Sequence, residues 1–191
     1  MARVLSATYD ELVEKAQRVF WLNGYKGISA KELSEELGVS SSTIYTKYPK
    51  EMLFMDSLDY YTSTYSDPFL KGLRESTEGI KSLQEFFYAL IEALLDRTFP
   101  KSCLMVNTIV EMRVENQDII QKYHSYISKL SDSYKVVLRK AHKLGQIKDE
   151  NRIDAYAEFL LGMIFSLSIF YKIQDKSELK KYVDEQLKLI D

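Results

Sequence analysis

From Ile120 to Ala141 the apolar residues Ile120, Tyr123, Ile127, Leu130, Tyr134, Val137 and Ala141 recur at alternating three- and four-residue intervals, and no glycine interrupts them before Gly145. That is the spacing of one face of an α-helix, and a strand, which alternates every second residue, cannot produce it. The chain has room for more such segments, because its 191 residues include only seven glycines and three prolines. At 46 % apolar and 13 % aromatic it is too hydrophobic to stay disordered, so the expected fold class is all-α.

Local signals mark where the helices start and stop. Thr8 and Glu11 form a capping box, and Gly24 closes a helix that turns Leu12, Ala16, Val19 and Phe20 inward. Ser29 and Glu32 repeat the box ahead of a short helix that carries Leu33 and Leu37 and stops at Gly38. Ser40 caps a third helix, which runs to Lys47 before Pro49 ends it. A longer helix starts near Glu51 and is broken or loosened around Pro68. Further helices are expected over Thr77 to Arg97, over Cys103 to Arg113, from the cap Asn116 to Gly145, and from Asp154 to Lys172. The last is capped by Asp175 with Glu178 and carries Leu179, Tyr182, Val183, Leu187 and Ile190.

The Asp154–Lys172 segment is apolar nearly all round and needs cover on every side. Its most membrane-like stretch, Ala155 to Tyr171, is short for a membrane span and contains Glu158, so it reads as a buried helix, with no membrane partner. The simplest cover is a second copy of the chain, giving a homodimer through the last two helices.

The formal net charge of −2 offers no global attraction for a polyanion. Residues 1–50 carry +1 and the remainder −3, so any nucleic-acid surface has to be local. One cysteine cannot form an internal disulfide, and the N-terminus lacks the apolar run of a signal peptide; both fit a cytoplasmic protein. His124 and His142 lie about 27 Å apart by helical rise, too far to share a metal. Glu111, Glu115 and Asp118 read as solvated carboxylates. No phosphate loop, nucleophile elbow or zinc-protease pattern is present, so no catalytic residue, metal site or cofactor is expected.

The stretch "ELSEELGVSSSTIYTKYPKEML", Glu32 to Leu53, has the parts of a helix-turn-helix. Leu33 and Leu37 face inward, Gly38 can make the turn, and Val39 and Ile44 anchor the second helix. Ser41, Ser42, Thr43, Thr46 and Lys47 are then outward, with Lys47 and Lys50 placed for phosphate or base contact. A helix hairpin with a Ser cap and a solvated face fits the same pattern.

The longer run "AQRVFWLNGYKGISAKELSEELGVSSSTIYTKYPKEML", Ala16 to Leu53, resembles the DNA-binding domain of TetR/AcrR-type transcriptional regulators. It has the Ala and Phe of the first helix, the Gly-aromatic pair, the "GVS" turn, two aromatics and Lys-Glu-x-x-Leu. The resemblance implies a DNA-binding domain over residues 1–50 and a larger helical domain over 51–191 for effector binding and dimerisation. It also implies a repressor that binds a palindromic double-stranded operator as a homodimer and answers to a small-molecule effector. The alternative is a helical ligand-binding or interaction protein whose helix-turn-helix only packs.

By the same resemblance, Ser29, Tyr45, Tyr48 and Lys50 join Ser41, Ser42, Thr43, Thr46 and Lys47 at the DNA. The chain departs from the pattern where Pro49 alone separates Tyr48 from Lys50, and where Ala30 replaces a commoner Thr. A second segment, "KSCLMVNTIVE", is similar to an element in members of the family that respond to electrophiles or oxidants. It implies Cys103 as a sensing thiol with Lys172 as its partner, against the plain reading of a small buried hydrophobe. Phe86, Phe87, Leu90, Met105, Tyr123, Tyr126, Ile127 and Phe165 are candidates for an effector pocket, and they would serve equally as core.

Overall fold

Three capping boxes set helix starts where the sequence places them. In a computed structural model, which describes residues 8–96, 102–112 and 116–190, Thr8 and Glu11 cap α1 (Tyr9–Asn23) and Ser29 and Glu32 cap α2 (Ala30–Leu37). Asp175 and Glu178 do the same for the C-terminal helix. Each box satisfies two backbone N–H groups that the first helical turn leaves without partners. The described residues contain no strand. Arg97, Lys101, Arg113 and Glu115 lie outside them.

The chain forms two compact units. The first comprises residues 1–66 and 103–122 and the second residues 67–102 and 123–191. In the first unit α1 packs along α3 (Lys50–Tyr61), so the unit extends past the expected boundary at residue 50. Phe20 and Phe54 meet edge to face at 5.1 Å, and Trp21 meets Tyr61 at 5.0 Å. Burying a side chain such as Phe20 removes enough apolar surface from water to contribute about 2–3 kcal/mol. The chain stays helical through a wide π turn (Thr62–Ser66) into α4 (Asp67–Glu75), and Pro68 sits in the opening turn of α4. There its missing N–H loosens the helix without ending it. α6 (Leu104–Glu111) also belongs to the first unit, with Cys103 at its N-cap.

The second unit is built on α4, α5 (Ile80–Leu95), most of α7 (Gln117–Lys143), α8 (Ile153–Phe170) and α9 (Lys176–Leu187). Phe86, Phe87 and Tyr134 form an aromatic knot, with Phe86 5.8 Å from Tyr134. Polar contacts hold α9 against α5. Asp184 accepts from Tyr88 Oη and Gln84 Nε2, each at 2.6 Å, and Lys176 and Lys180 share Glu92. Burial, with the Asp184 carboxylate adding to it, pushes the Tyr88 hydroxyl up to about 12.

α8 buries Ile153, Tyr156, Ala157, Leu160, Met163, Ile164, Leu167 and Ser168. Its other face leaves Ala155, Glu158, Gly162 and Ile169 exposed. With the preceding turn it is long and apolar enough to cross a membrane by length and composition, and its buried face packs inside the unit.

Candidate nucleic-acid interface

The turn after α2 follows from Gly38, which adopts φ 70° and ψ 30°, a left-handed conformation open to glycine at little cost. Its N–H and that of Val39 bond back to carbonyls of α2, which closes the helix in the manner of a C-cap. Ser40 then receives Thr43 N–H at 3.2 Å and acts as the expected cap. The following turn is wide: Thr43–Lys47 is π-helical, and Tyr48 N–H reaches Thr43 O at 2.9 Å. Ile44, buried, fixes this turn to the core, while Tyr45 is 65 % exposed.

The nine sequence candidates separate into two groups. Ser42, Tyr45, Thr46 and Lys47 are exposed on one short segment. Ser41 is not outward as expected. It is half-buried, and its hydroxyl lies 3.0 Å from the buried Ser34 of α2, which ties the two helices of the motif together. Thr43 is also half-buried and shares a hydrogen bond with Ser40 at 2.8 Å. Ser29 holds the N-cap of α2, with its hydroxyl accepting from Glu32 N–H and its own N–H donating to the Glu32 carboxylate. The Ser29 N–H first, and then the Ser29 hydroxyl, hold the Glu32 carboxyl below its ordinary range.

Lys50 opens α3 directly after Pro49, and its ammonium does not point freely outward. It donates to Ile28 O at 2.5 Å and stands 4.2 Å over the Tyr25 ring. Tyr48 is half-buried between Lys47, whose ammonium lies 4.9 Å over its ring, and Tyr9, whose ring is 4.8 Å away. Tyr9 in turn donates a hydrogen bond to Asp56 on α3. Burial, and then the Asp56 carboxylate, push the Tyr9 hydroxyl well above the phenol range. Sequence reasoning missed Tyr9, because nothing local links it to residues forty positions away. Tyr9→Phe should keep the ring contact, lose the bond to Asp56 and cost about 1 kcal/mol in urea unfolding. Tyr9→Ala, which also loses the ring, should cost about 3 kcal/mol.

The other candidates lie elsewhere. Cys103 is buried, and the Tyr61 hydroxyl donates to its sulfur at 3.3 Å. Burial, with Cys103 adding to it, raises the Tyr61 hydroxyl far above its ordinary value. Lys172 is exposed just after α8, in the second unit. Of the pocket candidates, Met105 belongs to the first unit, Phe86, Phe87 and Tyr126 are buried in the second, and Leu90, Tyr123, Ile127 and Phe165 are half-buried there. An open groove of about 1010 Å³ runs between α5 and α9, lined by Lys81, Gln84, Lys176, Lys180 and Asp184 among others, and none of the eight lines it. Among the described residues no three His, Cys, Asp or Glu side chains group as metal ligands.

Comparison with known proteins agrees with this geometry. Over 183 residues, 94 % of each chain, the protein is 24 % identical to the uncharacterised HTH-type transcriptional regulator YezE of Bacillus subtilis. Over 162 residues it is 26 % identical to the HTH-type transcriptional repressor ComR of Escherichia coli, covering 84 % of this chain and 77 % of that one. A cysteine mutant of the TetR family regulator CifR, solved with a 26-bp operator duplex, superposes with a TM-score of 0.85 at 19 % identity over the whole of both chains. At that identity the likeness is one of fold. Residues 12–54 match the profile of bacterial regulatory proteins of the tetR family, and residues 79–186 match the tetracyclin repressor-like C-terminal domain. The chain therefore belongs to the TetR family and is a helix-turn-helix DNA-binding transcriptional regulator, not an enzyme.

Proposed function

We propose that the protein is a cytoplasmic, effector-responsive repressor that binds a near-palindromic operator as a homodimer. The observation that carries the DNA contact is the exposed row Ser42, Tyr45, Thr46 and Lys47 on a turn anchored from behind by Ile44. Small hydroxyls let a backbone approach the major groove closely, and an aromatic and an ammonium reach phosphates. Ser29, Ser41, Thr43, Tyr48 and Lys50 act behind this row by fixing the helices that present it.

The dimer is supported by the uncovered side of α8, where Ile169 is 56 % exposed, and by Ile173 beyond it at 79 %. Glycine and alanine at positions 162 and 155 of the same face let a partner helix come close. Two copies related by a twofold axis would set two recognition turns on half-sites one helical turn, or a multiple of it, apart. For the effector, the half-buried Leu90, Tyr123, Ile127 and Phe165 combine apolar surface with a phenol. The buried Phe86, Phe87 and Tyr126 would back that wall, and the second compact unit would form the effector-binding part. Cys103, buried at the N-cap of α6 with the Tyr61 hydroxyl donating to its sulfur, is a second candidate input.

The test is selection of duplexes from random-sequence DNA, followed by titration over a range of salt. Wild-type protein should enrich an inverted repeat and bind it far more tightly than a scrambled duplex. Lys47→Ala should weaken binding and lower the magnitude of the salt slope by about one. Equal binding of both duplexes, with no effect of Lys47→Ala, would overturn the assignment of this surface.

A further inference from the structure

Glu111 ends α6, and its carboxylate is not solvated as the sequence suggests. It is seated against the turn between α1 and α2. Tyr25 N–H donates to Oε2 at 2.8 Å and Lys26 N–H to Oε1 at 2.6 Å, while Lys26 Nζ reaches the Glu111 carbonyl at 3.0 Å. Two successive backbone N–H groups converging on one anion form a nest. Gly24 leaves space for it, since a Cβ there would lie 2.7 Å from Oε2. Lys50 grips the same turn through Ile28 O and the Tyr25 ring. Burial lowers the Lys50 pKa, and the Glu111 and Glu32 carboxylates push it back up. The turn from Gly24 to Ile28 is thus held by a carboxylate and an ammonium, and it leads straight into Ser29, the cap of α2.

We propose that Glu111 is a positioning residue for the DNA interface: by occupying the Gly24–Lys26 nest it fixes the direction in which α2, and the recognition turn bonded to α2, meet the duplex. The proposal rests on the interface described above. Its consequence runs against simple electrostatics. Deleting a carboxylate near a DNA-binding surface removes repulsion and should tighten binding, whereas releasing the turn should weaken it.

On the duplex selected by the wild-type protein, Glu111→Ala should bind about tenfold more weakly and Glu111→Gln about threefold, since Gln keeps one acceptor oxygen but sets an amide against the second N–H. Glu36→Ala, which removes an exposed carboxylate from α2, should bind as well as wild type or better. Hydrogen exchange at the Tyr25 and Lys26 amides should accelerate in both Glu111 variants. Binding by Glu111→Ala as tight as wild type or tighter, with folding intact, would overturn the proposal. Should the alanine variant melt below the assay temperature, Glu111→Gln carries the same sign test, because it keeps the side-chain volume. The exchange measurement needs no DNA. Failure of the wild type to select any duplex would count against the interface, while unchanged exchange in the variants would by itself overturn the role of Glu111.

Discussion

Ile169→Glu is expected to turn the proposed dimer into a monomer and to abolish tight operator binding. Ile169 stands on the uncovered face of α8, so a glutamate there meets water in the single chain and leaves its core untouched. In the proposed dimer the same carboxylate would be desolvated opposite a partner helix, at a cost of several kcal/mol for an uncompensated charge. Two half-sites bound by linked subunits gain about 10²–10⁴ in avidity over one, and the monomer forfeits this gain. Sedimentation should report the change of mass, circular dichroism an unchanged helix content, and titration a loss of about a hundredfold or more on the two-half-site duplex. Leu144→Glu, at an exposed leucine beyond the end of α7, serves as the control and should change neither mass nor affinity. A dimer that survives Ile169→Glu would place the interface elsewhere.

Features written over three or four residues were legible in the sequence. The boxes at Thr8, Ser29 and Asp175 and the Ser40 and Asn116 caps follow from side chains that bond within their own helix turn, and the Gly38 turn from a residue that takes positive φ at little cost. The inward row of the long helix was only partly legible. Its C-terminal half buries Leu130, Tyr134, Val137 and Ala141 as expected, but toward the N-terminus Ile119 and Tyr126 are buried while Ile120, Tyr123 and Ile127 are half-buried. A strict seven-residue repeat drifts about 20° per heptad on a straight helix, so a row projected from one end slides off the face at the other. The orientations of Ser41, Lys50 and Glu111 were not legible. Each is set by a partner on another element, respectively Ser34, Ile28 and the Tyr25–Lys26 backbone, and a polar residue at an outward position carries no mark of such a partner.

The two glycines of the DNA-binding unit that adopt positive φ should respond very differently to alanine. At Gly38 the backbone, φ 70° and ψ 30°, lies in the left-handed helical region, and nothing stands within 4 Å of the position a Cβ would take. Gly38→Ala therefore costs only the conformational strain, about 1 kcal/mol. At Gly24, φ 75° with ψ 171° is a region essentially restricted to glycine, which alone costs about 1–3 kcal/mol. The added methyl also falls 2.7 Å from Oε2 and 2.8 Å from Oε1 of Glu111, so the carboxylate has to leave the nest and strand two backbone N–H groups. The total for Gly24→Ala is expected near 3–4 kcal/mol, which at about 2–4 °C per kcal/mol for a chain of this size lowers the melting temperature by roughly 6–16 °C. Gly38→Ala should lower it by about 2–4 °C. Pairing Gly24→Ala with Glu111→Ala separates the two causes. With the carboxylate gone the steric part vanishes, so the double variant should be more stable than the two single losses added together. Strict additivity would mean that the cost at Gly24 is purely conformational and that its space is not what admits Glu111.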